Sequence, residues 1–260
     1  MIRASSPKEH LERLGTAVKM ENVTVEFNGK PTLLNIDLEI ESGTLTAVIG
    51  PNNAGKTTLL KTIIGLNKPA AGNVYIFSRH TDALKNDIGY VPGRKSVNWL
   101  FPINLFDLAL TGSYNRLKRT NIPEKKDKAA AMEALERLGL EKIYKKNICD
   151  LTRGEKHRAL IARAMVQDPR IYVMDEPMLA CDEESVNIII DVLQELKKKQ
   201  KTLIVAHHDI VTIPRYFDNA VLINISLIAA GKTEDIFTKR NFEAAYGAGS
   251  DIAAGIEIIG

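Results

Sequence analysis

The sequence predicts an α/β fold with a mainly parallel sheet, an antiparallel β subdomain and an inserted α-helical subdomain. Residues Thr16 to Ile40 alternate apolar and polar side chains around a turn at 28–31, which is typical of an antiparallel hairpin. Leu45 to Ile49 is a short apolar segment that runs through a glycine-containing loop into a helical pattern. After residue 150, apolar segments of strand length alternate with helical patterns, which predicts a parallel sheet covered on both faces.

The other elements follow in chain order. Residues 93–112 are rich in loop-forming and aromatic residues, and we place the start of the helical insertion in this segment. The helix that starts near Pro123 and Glu124 is stopped by a glycine at 139. The patterns predict helices at Thr58–Gly65, Ile122–Gly139, Leu151–Val166 and Glu184–Lys199, and buried strands at Ile171–Met174 and Thr202–Ala206.

Composition excludes several classes of protein. The 260 residues suit one large domain or a domain with an inserted subdomain, and 35 basic against 32 acidic side chains give a net charge of only +3, which argues against a nucleic-acid partner. Two cysteines, Cys149 and Cys181, cannot form a disulfide framework and favour a reducing compartment. Residues 1–15 lack the apolar stretch of a secretory signal, and Ala220 to Ala230 is shorter than the roughly 20 residues of a membrane-spanning helix. We therefore expect any membrane association to go through a partner.

A phosphate-binding loop lies between the strand at 45–49 and the following helix. Glycine, four residues and Gly-Lys-Thr form the P-loop pattern, in which backbone N–H groups and a helix N-terminus cradle phosphates. Lys56 is expected to reach the β and γ phosphates of ATP and the Thr57 hydroxyl to bind Mg²⁺. Asn53 stands where many such loops have glycine, and asparagine tolerates a left-handed backbone. The candidate ATP-binding residues of this segment are Gly50, Pro51, Asn52, Asn53, Ala54, Gly55, Lys56, Thr57 and Thr58.

Two carboxylates end the predicted strand at 171–174. Because successive side chains of a strand face opposite sides, the pair can divide the work. We expect Asp175 to hold Mg²⁺ through water and Glu176 to polarise the attacking water as a general base. A strand that ends in Asp-Glu is weak evidence alone, but together with the P-loop it predicts a P-loop NTPase core of the RecA-like type that hydrolyses ATP.

In the order of its motifs, the chain resembles the ATPase subunits of ABC transporters from about Ala17 to Gly247. The P-loop is followed by Ile88-Gly89-Tyr90-Val91-Pro92, a helical insertion, Leu151-Thr152-Arg153-Gly154-Glu155, Asp175-Glu176-Pro177, Cys181-Asp182 and His207-His208-Asp209. In that family the segment around Leu151 is the signature motif, which closes over ATP bound by the opposite subunit. The resemblance implies a head-to-tail homodimer with two ATP molecules between its subunits, to which Thr152 and Gly154 contribute.

Further roles follow from the resemblance. It matches Phe27 to the aromatic residue that stacks on adenine, His208 to the switch histidine at the γ phosphate, and Asp182 to the acidic residue that links the two sites. The catalytic residues would then be Glu176, His208 and Lys56. Phe27 is open to a second interpretation as a core residue of the hairpin. Because His207 and His208 face opposite sides of a strand, we expect one to face ATP and the other to pack or meet solvent.

Two segments resemble the branch of the family that serves manganese, zinc and iron uptake. They are residues 91–102 and the stretch from Leu227 through Gly247. This resemblance implies a membrane permease, an extracytoplasmic metal-binding protein and a peripheral location on the cytoplasmic face of the membrane. Trp99 and Phe101 either pack in the core of the insertion or line a groove for a helix of the permease.

Three positions depart from the family pattern. Gly93 replaces a glutamine that reaches Mg²⁺ and the attacking water, a contact that Arg94 or a water molecule would have to supply. Arg153 replaces a glycine of the signature. Glu155 replaces a glutamine and brings a negative charge toward the phosphates, which is unfavourable unless Arg153 or Lys156 pairs with it. We predict that ATP binding survives and that hydrolysis is slower than is usual for the family.

The chain divides into three parts on this interpretation: an N-terminal extension at 1–16, an ATPase domain at 17–247 with the helical subdomain inserted at about 93–160, and a tail at 248–260. The leading hypothesis is an importer ATPase. An alternative is an ATP-dependent dimerisation switch or scaffold with little hydrolysis, which Gly93 and Arg153 favour. A soluble ATPase that acts on ribosomes or DNA is disfavoured by the single ATPase unit, the small net charge and the lack of a coiled-coil insertion.

Overall fold

A computed structural model describes residues 15–80, 87–93, 96–116, 122–248 and 250. The predicted N-terminal extension and C-terminal tail lie outside the described residues except at positions 15, 16, 248 and 250, and Arg94 also lies outside them. Two sheets and the helices around them form the described chain, and the α/β fold class is confirmed.

A four-stranded antiparallel sheet contains the predicted hairpin. Its strands are β1 (Thr16–Phe27), β2 (Lys30–Glu41), β4 (Ala71–Ile76) and β5 (Arg79–His80), in the order β2-β1-β4-β5. Asn28 and Gly29 form the turn between β1 and β2 with φ of 52° and 72°. Positive φ at both central residues is the hairpin geometry that asparagine followed by glycine favours. The prediction of a hairpin is therefore confirmed.

The second sheet has six strands and carries the candidate site. They are β3 (Leu45–Ile49), β6 (Ile88–Val91), β7 (Ile171–Asp175), β8 (Thr202–Ala206), β9 (Asn219–Asn224) and β10 (Ser226–Lys232), in the order β10-β9-β3-β8-β7-β6. β10 is antiparallel to β9, and the other neighbouring pairs are parallel. Every residue of β3, β7 and β8 is buried, as expected for central parallel strands with both faces covered.

The helices surround the six-stranded sheet and form the insertion. They are α1 (Lys56–Ile63), α2 (Leu105–Leu110), α3 (Lys125–Arg137), α4 (Arg153–Gln167), α5 (Glu183–Lys198), α6 (Ile213–Tyr216), α7 (Thr233–Ile236) and α8 (Lys239–Tyr246), with 3₁₀ turns at Thr111–Arg116, Glu141–Ile143, Ile148–Asp150 and Ile210–Thr212. The approximate subdomain boundary at 160 falls inside α4, which is continuous. None of these helices in the described part of the chain has the length and apolarity needed to cross a membrane.

The sequence patterns predict no individual helix within 93–112, but α2 lies in this segment. Asn104 caps this helix because its side chain accepts a hydrogen bond of 2.8 Å from the Asp107 N–H. Leu105 and Ala109 are fully buried. The prolines and asparagines of the segment concealed a six-residue helix that is stabilised by packing rather than by its own length.

Two hydrophobic cores position the site between them. One lies between the antiparallel sheet, α1 and one face of the six-stranded sheet, and includes Leu33, Leu59 and Val173. The other lies on the opposite face of that sheet and extends into the helical insertion, where Leu135, Leu160 and Leu193 belong to it. The central strands are therefore packed on both faces. The loops at their carboxyl ends start from these rigid strands.

Candidate nucleotide site

The candidate site lies at the carboxyl ends of three adjacent strands. β8 is hydrogen-bonded to β3 on one side and to β7 on the other. The loop of residues 50–55 leaves β3, Glu176 follows β7, and His207 and His208 follow β8. Carboxyl ends of parallel strands meet at one edge of a sheet, where ligands of open α/β folds bind. The sheet order thus brings together motifs that are more than 100 residues apart in the chain.

The phosphate loop depends on glycine at both ends. Gly50 has φ of 154°, and a Cβ atom there would lie 2.1 Å from the Ile223 carbonyl oxygen. Gly55 has φ of 96°, and its Cβ would lie 2.6 Å from the Thr32 carbonyl oxygen. A side chain at either position would therefore displace the loop from its supports. Asn53 has φ of 65°, the left-handed conformation expected of it.

Lys56 begins α1 and turns back into the loop. Its ammonium donates hydrogen bonds to the carbonyl oxygens of Gly50 (2.8 Å) and Pro51 (2.9 Å), and the residue is 6% exposed. Burial lowers the pKa of Lys56, while the nearby charges of Glu176 and Asp175 act in the opposite direction. A cation held inside a loop of main-chain N–H groups is a phosphate-binding arrangement.

A cleft of about 440 Å³ opens over this loop. Sequence analysis did not identify Thr32, which reaches the cleft from the hairpin. Glu176 also borders it, so the cleft extends from the phosphate loop to the carboxyl end of β7. Its lining residues are Thr32, Asn52, Asn53, Ala54, Gly55, Lys56, Thr57, Thr58 and Glu176.

Thr57 and Asp175 meet although 118 positions separate them. The Thr57 hydroxyl contacts Oδ1 (3.1 Å) and Oδ2 (3.0 Å) of the Asp175 carboxylate. Burial raises the pKa of Asp175, the Thr57 hydrogen bond lowers it, and the Glu176 charge raises it further, with a net increase. A buried carboxylate beside a hydroxyl is a set of hard oxygen donors that suits Mg²⁺, so these residues fit the ion predicted from the sequence.

Glu176 and His208 form a second pair at the same edge. Glu176 Oε1 and His208 Nε2 are in hydrogen-bond contact, and both side chains are partly open to solvent. Glu176 has φ of 54°, a left-handed conformation that costs about 1 kcal/mol for a residue with a side chain. Such backbone strain is concentrated at functional sites.

His207 is directed differently from His208, as expected for adjacent residues. Its Nε2 is 2.9 Å from the Thr212 hydroxyl oxygen, and its ring packs on Phe217 with centroids 5.5 Å apart. Burial lowers the pKa of His207 to about 4. His207 is therefore the packing histidine of the pair, and His208 is the one beside Glu176.

The carboxyl end of β6 also faces Asp175. A Cβ atom at Gly93 would lie 3.0 Å from Asp175 Oδ2, so the main chain approaches the carboxylate where the family has a glutamine side chain. The Tyr90 hydroxyl is buried with no hydrogen-bond partner within the described chain, and burial together with the Asp175 charge raises its pKa to about 12. Sequence reasoning did not identify Tyr90, because a tyrosine on a strand gives no signal of its surroundings.

The signature segment forms the N-terminus of α4. Thr152 and Glu155 make a capping box: the Thr152 hydroxyl accepts from Glu155 N–H (3.2 Å), and Glu155 Oε2 accepts from Thr152 N–H (2.7 Å). The ion-pair partner of Glu155 is Lys146, with 3.0 Å between Nζ and Oε2. This corrects the expectation that Arg153 or Lys156 would pair with Glu155. The Lys156 ammonium lies 5.2 Å from the centroid of the Trp99 ring instead. The Thr-x-x-Glu spacing was a readable signal of this cap.

Opposing contributions act on the Glu155 carboxyl. Burial raises its pKa, but the Thr152 N–H and the Lys146 ammonium lower it by more, so the pKa lies below its ordinary value. Glu155 is thus ionised and bonded to groups at the N-terminus of its own helix. The Lys146 ammonium neutralises its negative charge.

Gly154 and Asp182 lie together beside the start of α5. A Cβ at Gly154 would lie 2.1 Å from Ser185 Oγ and 3.0 Å from Asp182 Oδ2. Asp182 caps α5 by accepting from Ser185 N–H (2.8 Å), and this bond is the main reason that its pKa is lowered. Thr152, Gly154, Asp182 and Phe27, which is 51% exposed, do not line the phosphate cleft of the single chain.

Comparison with known proteins places this site in a family. Residues 33–179 match the family model described as ABC transporter. The chain is 41% identical over 231 residues to the zinc transport system ATP-binding protein TroB of Treponema pallidum, covering 89% of this chain and 87% of that protein. It is also 41% identical over 230 residues to the manganese transport system ATP-binding protein MntB of Bacillus subtilis, covering 88% and 92%.

Solved structures agree with the sequence relatives. The chain resembles cbiO1 from Clostridium perfringens, part of the ABC transporter complex cbiONQ, with a TM-score of 0.74, 27% identity and coverage of 93% and 99%. It resembles the dimeric ATP-binding cassette MJ0796 bound to ADP and Pi with a TM-score of 0.73, 26% identity and coverage of 83% and 98%.

The chain therefore belongs to the ABC transporter family. Within that family it is an ATP-binding subunit, an ATPase of the kind that is coupled to transport. The predicted family and fold are confirmed. These relatives favour the transport hypothesis over a dimerisation switch and over a soluble ATPase.

Proposed function

We propose that this subunit hydrolyses ATP to energise the uptake of manganese or zinc through a membrane permease. The support is its 41% identity to subunits named for zinc and for manganese transport, over nearly the whole of each chain. Iron, the third ion that the sequence resemblance implies, stays a prediction. In this proposal the subunit sits peripherally on the cytoplasmic face of the membrane, and an extracytoplasmic metal-binding protein delivers the cargo.

The first task of the site is to hold the ATP phosphates. The main-chain N–H groups of the loop and the N-terminus of α1 supply positive potential around the cleft. In the described chain the Lys56 ammonium already lies inside the loop on the Gly50 and Pro51 carbonyl oxygens. We expect it to exchange these partners for β and γ phosphate oxygens, because phosphate carries a charge and a carbonyl does not.

When bound, Mg²⁺ would neutralise negative charge on the β and γ phosphates. Thr57 and Asp175 would hold it, since their oxygen atoms already converge at the edge of the cleft. Burial of Asp175 disfavours its charged form, so the carboxylate is ready to gain from a nearby cation.

Hydrolysis needs a base on the water that attacks the γ phosphate. Glu176 borders the cleft and would accept a proton from that water on its carboxylate. His208 orients the Glu176 side chain through the bond between Nε2 and Oε1. On closure against the γ phosphate, His208 would also contact a phosphate oxygen.

The second half of each site would come from another copy of the chain. Thr152, Gly154 and Asp182 lie outside the phosphate cleft of one chain, and the similar cassette MJ0796 is dimeric with ADP and Pi. A head-to-tail homodimer would place the N-terminus of α4 against the ATP held by its partner. Two ATP molecules would then be enclosed per dimer, with Phe27 against adenine.

The observation that carries this mechanism is the convergence of Thr57, Asp175, Glu176 and His208 at one sheet edge. We predict that Glu176→Gln lowers the rate of Mg²⁺-dependent ATP hydrolysis by at least about 100-fold, because general-base catalysis contributes 10²–10⁴-fold. ATP binding should persist, since glutamine keeps an oxygen that can face His208. Phosphate release and ATP titration on the purified protein measure the two effects.

The matched control is Glu183→Gln in the first turn of α5, which removes an exposed carboxylate and should leave the rate unchanged. Equal rates for the wild type and Glu176→Gln would contradict the assigned base. Binding without hydrolysis in the wild type, even with its permease, would instead favour the dimerisation switch.

The cargo is tested separately by uptake of radioactive manganese, zinc and iron into cells that lack this subunit. The wild type should restore manganese or zinc uptake and the Glu176→Gln variant should not. Restoration of neither ion, with ATP hydrolysis intact, would refute the metal assignment and leave the ATPase in place.

A further inference from the structure

A strained residue supports the phosphate loop from the side of β9 and β10. Ile225 alone connects the paired residues Asn224 and Ser226, with φ of 62°. A β-branched side chain in the left-handed region is a rare and unfavourable conformation. Its N–H donates to the Ala54 carbonyl oxygen of the phosphate loop at 2.9 Å, and its carbonyl accepts from Leu34 N–H at 2.9 Å. Ile225 thus ties the loop to the hairpin.

The C-terminal helix α8 is hydrogen-bonded to the same turn. Asn224 immediately precedes Ile225, and its side-chain amide donates to the Ala245 carbonyl oxygen at 3.0 Å. Tyr246, next to Ala245, stacks on Phe242 with ring centroids 5.8 Å apart and planes 5° apart. Phe242 is fully buried, so α8 is firmly seated against the strands.

Tyr246 also lies near the first residue of the loop. Burial raises the pKa of Tyr246 to about 12, and the nearby Gly50 main chain opposes that increase. Gly50 is packed so closely on β9 that a Cβ there would lie 2.1 Å from the Ile223 carbonyl oxygen. The two ends of the segment 50–54 are therefore held from behind, one beside Tyr246 and the other through Ile225.

We propose that α8 is a positioning element for the phosphate loop and that Asn224 and Tyr246 are its positioning residues. Neither side chain lines the cleft, so both act through the loop rather than on ATP. A loop that is ordered before ATP binds loses less conformational entropy on binding. The seating of α8 therefore sets ATP affinity. This inference requires only nucleotide binding and is independent of the cargo and of the permease.

The test compares Asn224→Ala and Tyr246→Phe with the wild type. Each removes one hydrogen-bonding group and leaves the Phe242 stack in place. We expect the Kd for ATP to rise about 3- to 10-fold in each, which is the effect of one hydrogen bond. The rate at saturating ATP should stay within about twofold of the wild type. Titration calorimetry and steady-state kinetics provide the two readouts.

The controls are Gln194→Ala and Tyr216→Phe. Gln194 donates its side-chain amide to the Tyr216 carbonyl oxygen at 2.8 Å, the same kind of bond as that of Asn224, and neither Gln194 nor Tyr216 belongs to α8 or to the phosphate loop. Amide hydrogen exchange of residues 50–57 gives an independent readout: it should accelerate in Asn224→Ala and stay unchanged in Gln194→Ala.

Two results would overturn the proposal. One is an unchanged Kd in both test variants; the other is an equal loss of affinity in Gln194→Ala, which would reveal a general structural effect of losing such a bond. If Asn224→Ala does not fold, Tyr246→Phe decides the question alone, because it removes a single oxygen atom. A wild type that binds no ATP would refute the nucleotide site itself, an outcome distinct from either of these.

Discussion

Gly93 shows how one absent side chain shapes the magnesium side of the site. A Cβ at this position would lie 3.0 Å from Asp175 Oδ2, and the Thr57 hydroxyl contacts both oxygens of the same carboxylate. Glycine therefore permits a close approach that a glutamine could make only if the carboxylate shifted. The departure from the family pattern changes the packing around Asp175 as well as removing a polar group.

We predict that Gly93→Ala weakens the apparent Mg²⁺ affinity in ATP hydrolysis about 3- to 10-fold, because the added methyl displaces the carboxylate by a few tenths of an ångström and about 1.4 kcal/mol is tenfold. A Mg²⁺ titration at saturating ATP measures it. Ser96→Ala, a change at a nearby exposed position, is the control. An unchanged Mg²⁺ dependence would mean that Asp175 tolerates the contact.

Because His207 is buried, we predict that the stability of the folded chain depends on pH. Burial holds its pKa at about 4 in the folded chain, against an ordinary value of 6.5, so the unfolded chain binds more protons between these values. The stabilisation from neutral His207 is complete above about pH 6.5 and is lost as the pH falls toward 4. We expect a loss of about 2 kcal/mol between pH 7 and pH 5, measured by denaturant unfolding.

His207→Gln should flatten this dependence, because glutamine has no proton to gain and can still donate to the Thr212 hydroxyl oxygen. A variant with the same pH slope as the wild type would assign the effect to other groups. His208→Gln is the matched comparison, since that side chain is exposed and borders the cleft through Glu176.

Among the elements, α4 has its signature segment fastened by its own cap. Glu155 closes the capping box with Thr152 and pairs with Lys146, which lies before the helix. We predict that Glu155→Ala lowers the free energy of unfolding by about 1 kcal/mol, the usual cost of a lost cap. Chemical denaturation measures it. In a double-mutant cycle with Lys146→Ala the two losses should sum to more than that of the double variant, whereas strict additivity would show that the ion pair contributes nothing.

The helices and strands that depend on neighbouring residues were predicted from the sequence more accurately than those that depend on tertiary packing. The Asn28-Gly29 turn and the helix α1 (Lys56–Ile63) follow from neighbouring residues, and both were predicted to within a few positions. The start of α4 was predicted less accurately. The helix was predicted to begin at Leu151, but Thr152 is its N-cap, so the helix begins at Arg153. α2 was missed because a six-residue helix depends on the buried Leu105 and Ala109 rather than on a periodic pattern.

At the scale of the whole molecule, the site of one chain is half of the proposed catalytic unit. Arg153 is exposed at the N-terminus of α4, and it lies outside the phosphate cleft of its own chain. We predict that Arg153→Glu abolishes ATP-dependent dimerisation in the Glu176→Gln background while monomers still bind ATP with unchanged affinity. The added negative charge would face the phosphates held by the partner. Light scattering with and without ATP measures the dimer.

Arg153→Gly, which restores the family residue, is the comparison and should dimerise at least as well as the parent. Dimerisation of Arg153→Glu equal to that of the parent would place α4 away from the interface. Faster hydrolysis by Arg153→Gly in the otherwise wild-type chain would support the prediction that this arginine slows turnover.

By itself the sequence determined the parts whose chemistry is local: the phosphate loop, the strand that ends in Asp175 and Glu176, the hairpin and the longer helices. A P-loop is recognisable because its conformation and its ligand depend on eight consecutive residues. The family resemblance added the order of the motifs and the roles of Phe27, Asp182 and His208, which stay predictions.

Only the tertiary structure decided which groups meet. The strand order β3-β8-β7 brings Thr57 to Asp175 across 118 positions and places His208, not His207, beside Glu176. It also pairs Glu155 with Lys146, brings Gly93 against Asp175 and seats α8 behind the phosphate loop. The physical reason is that these contacts depend on how distant strands pair and how helices pack on them, and no single stretch of sequence contains that information.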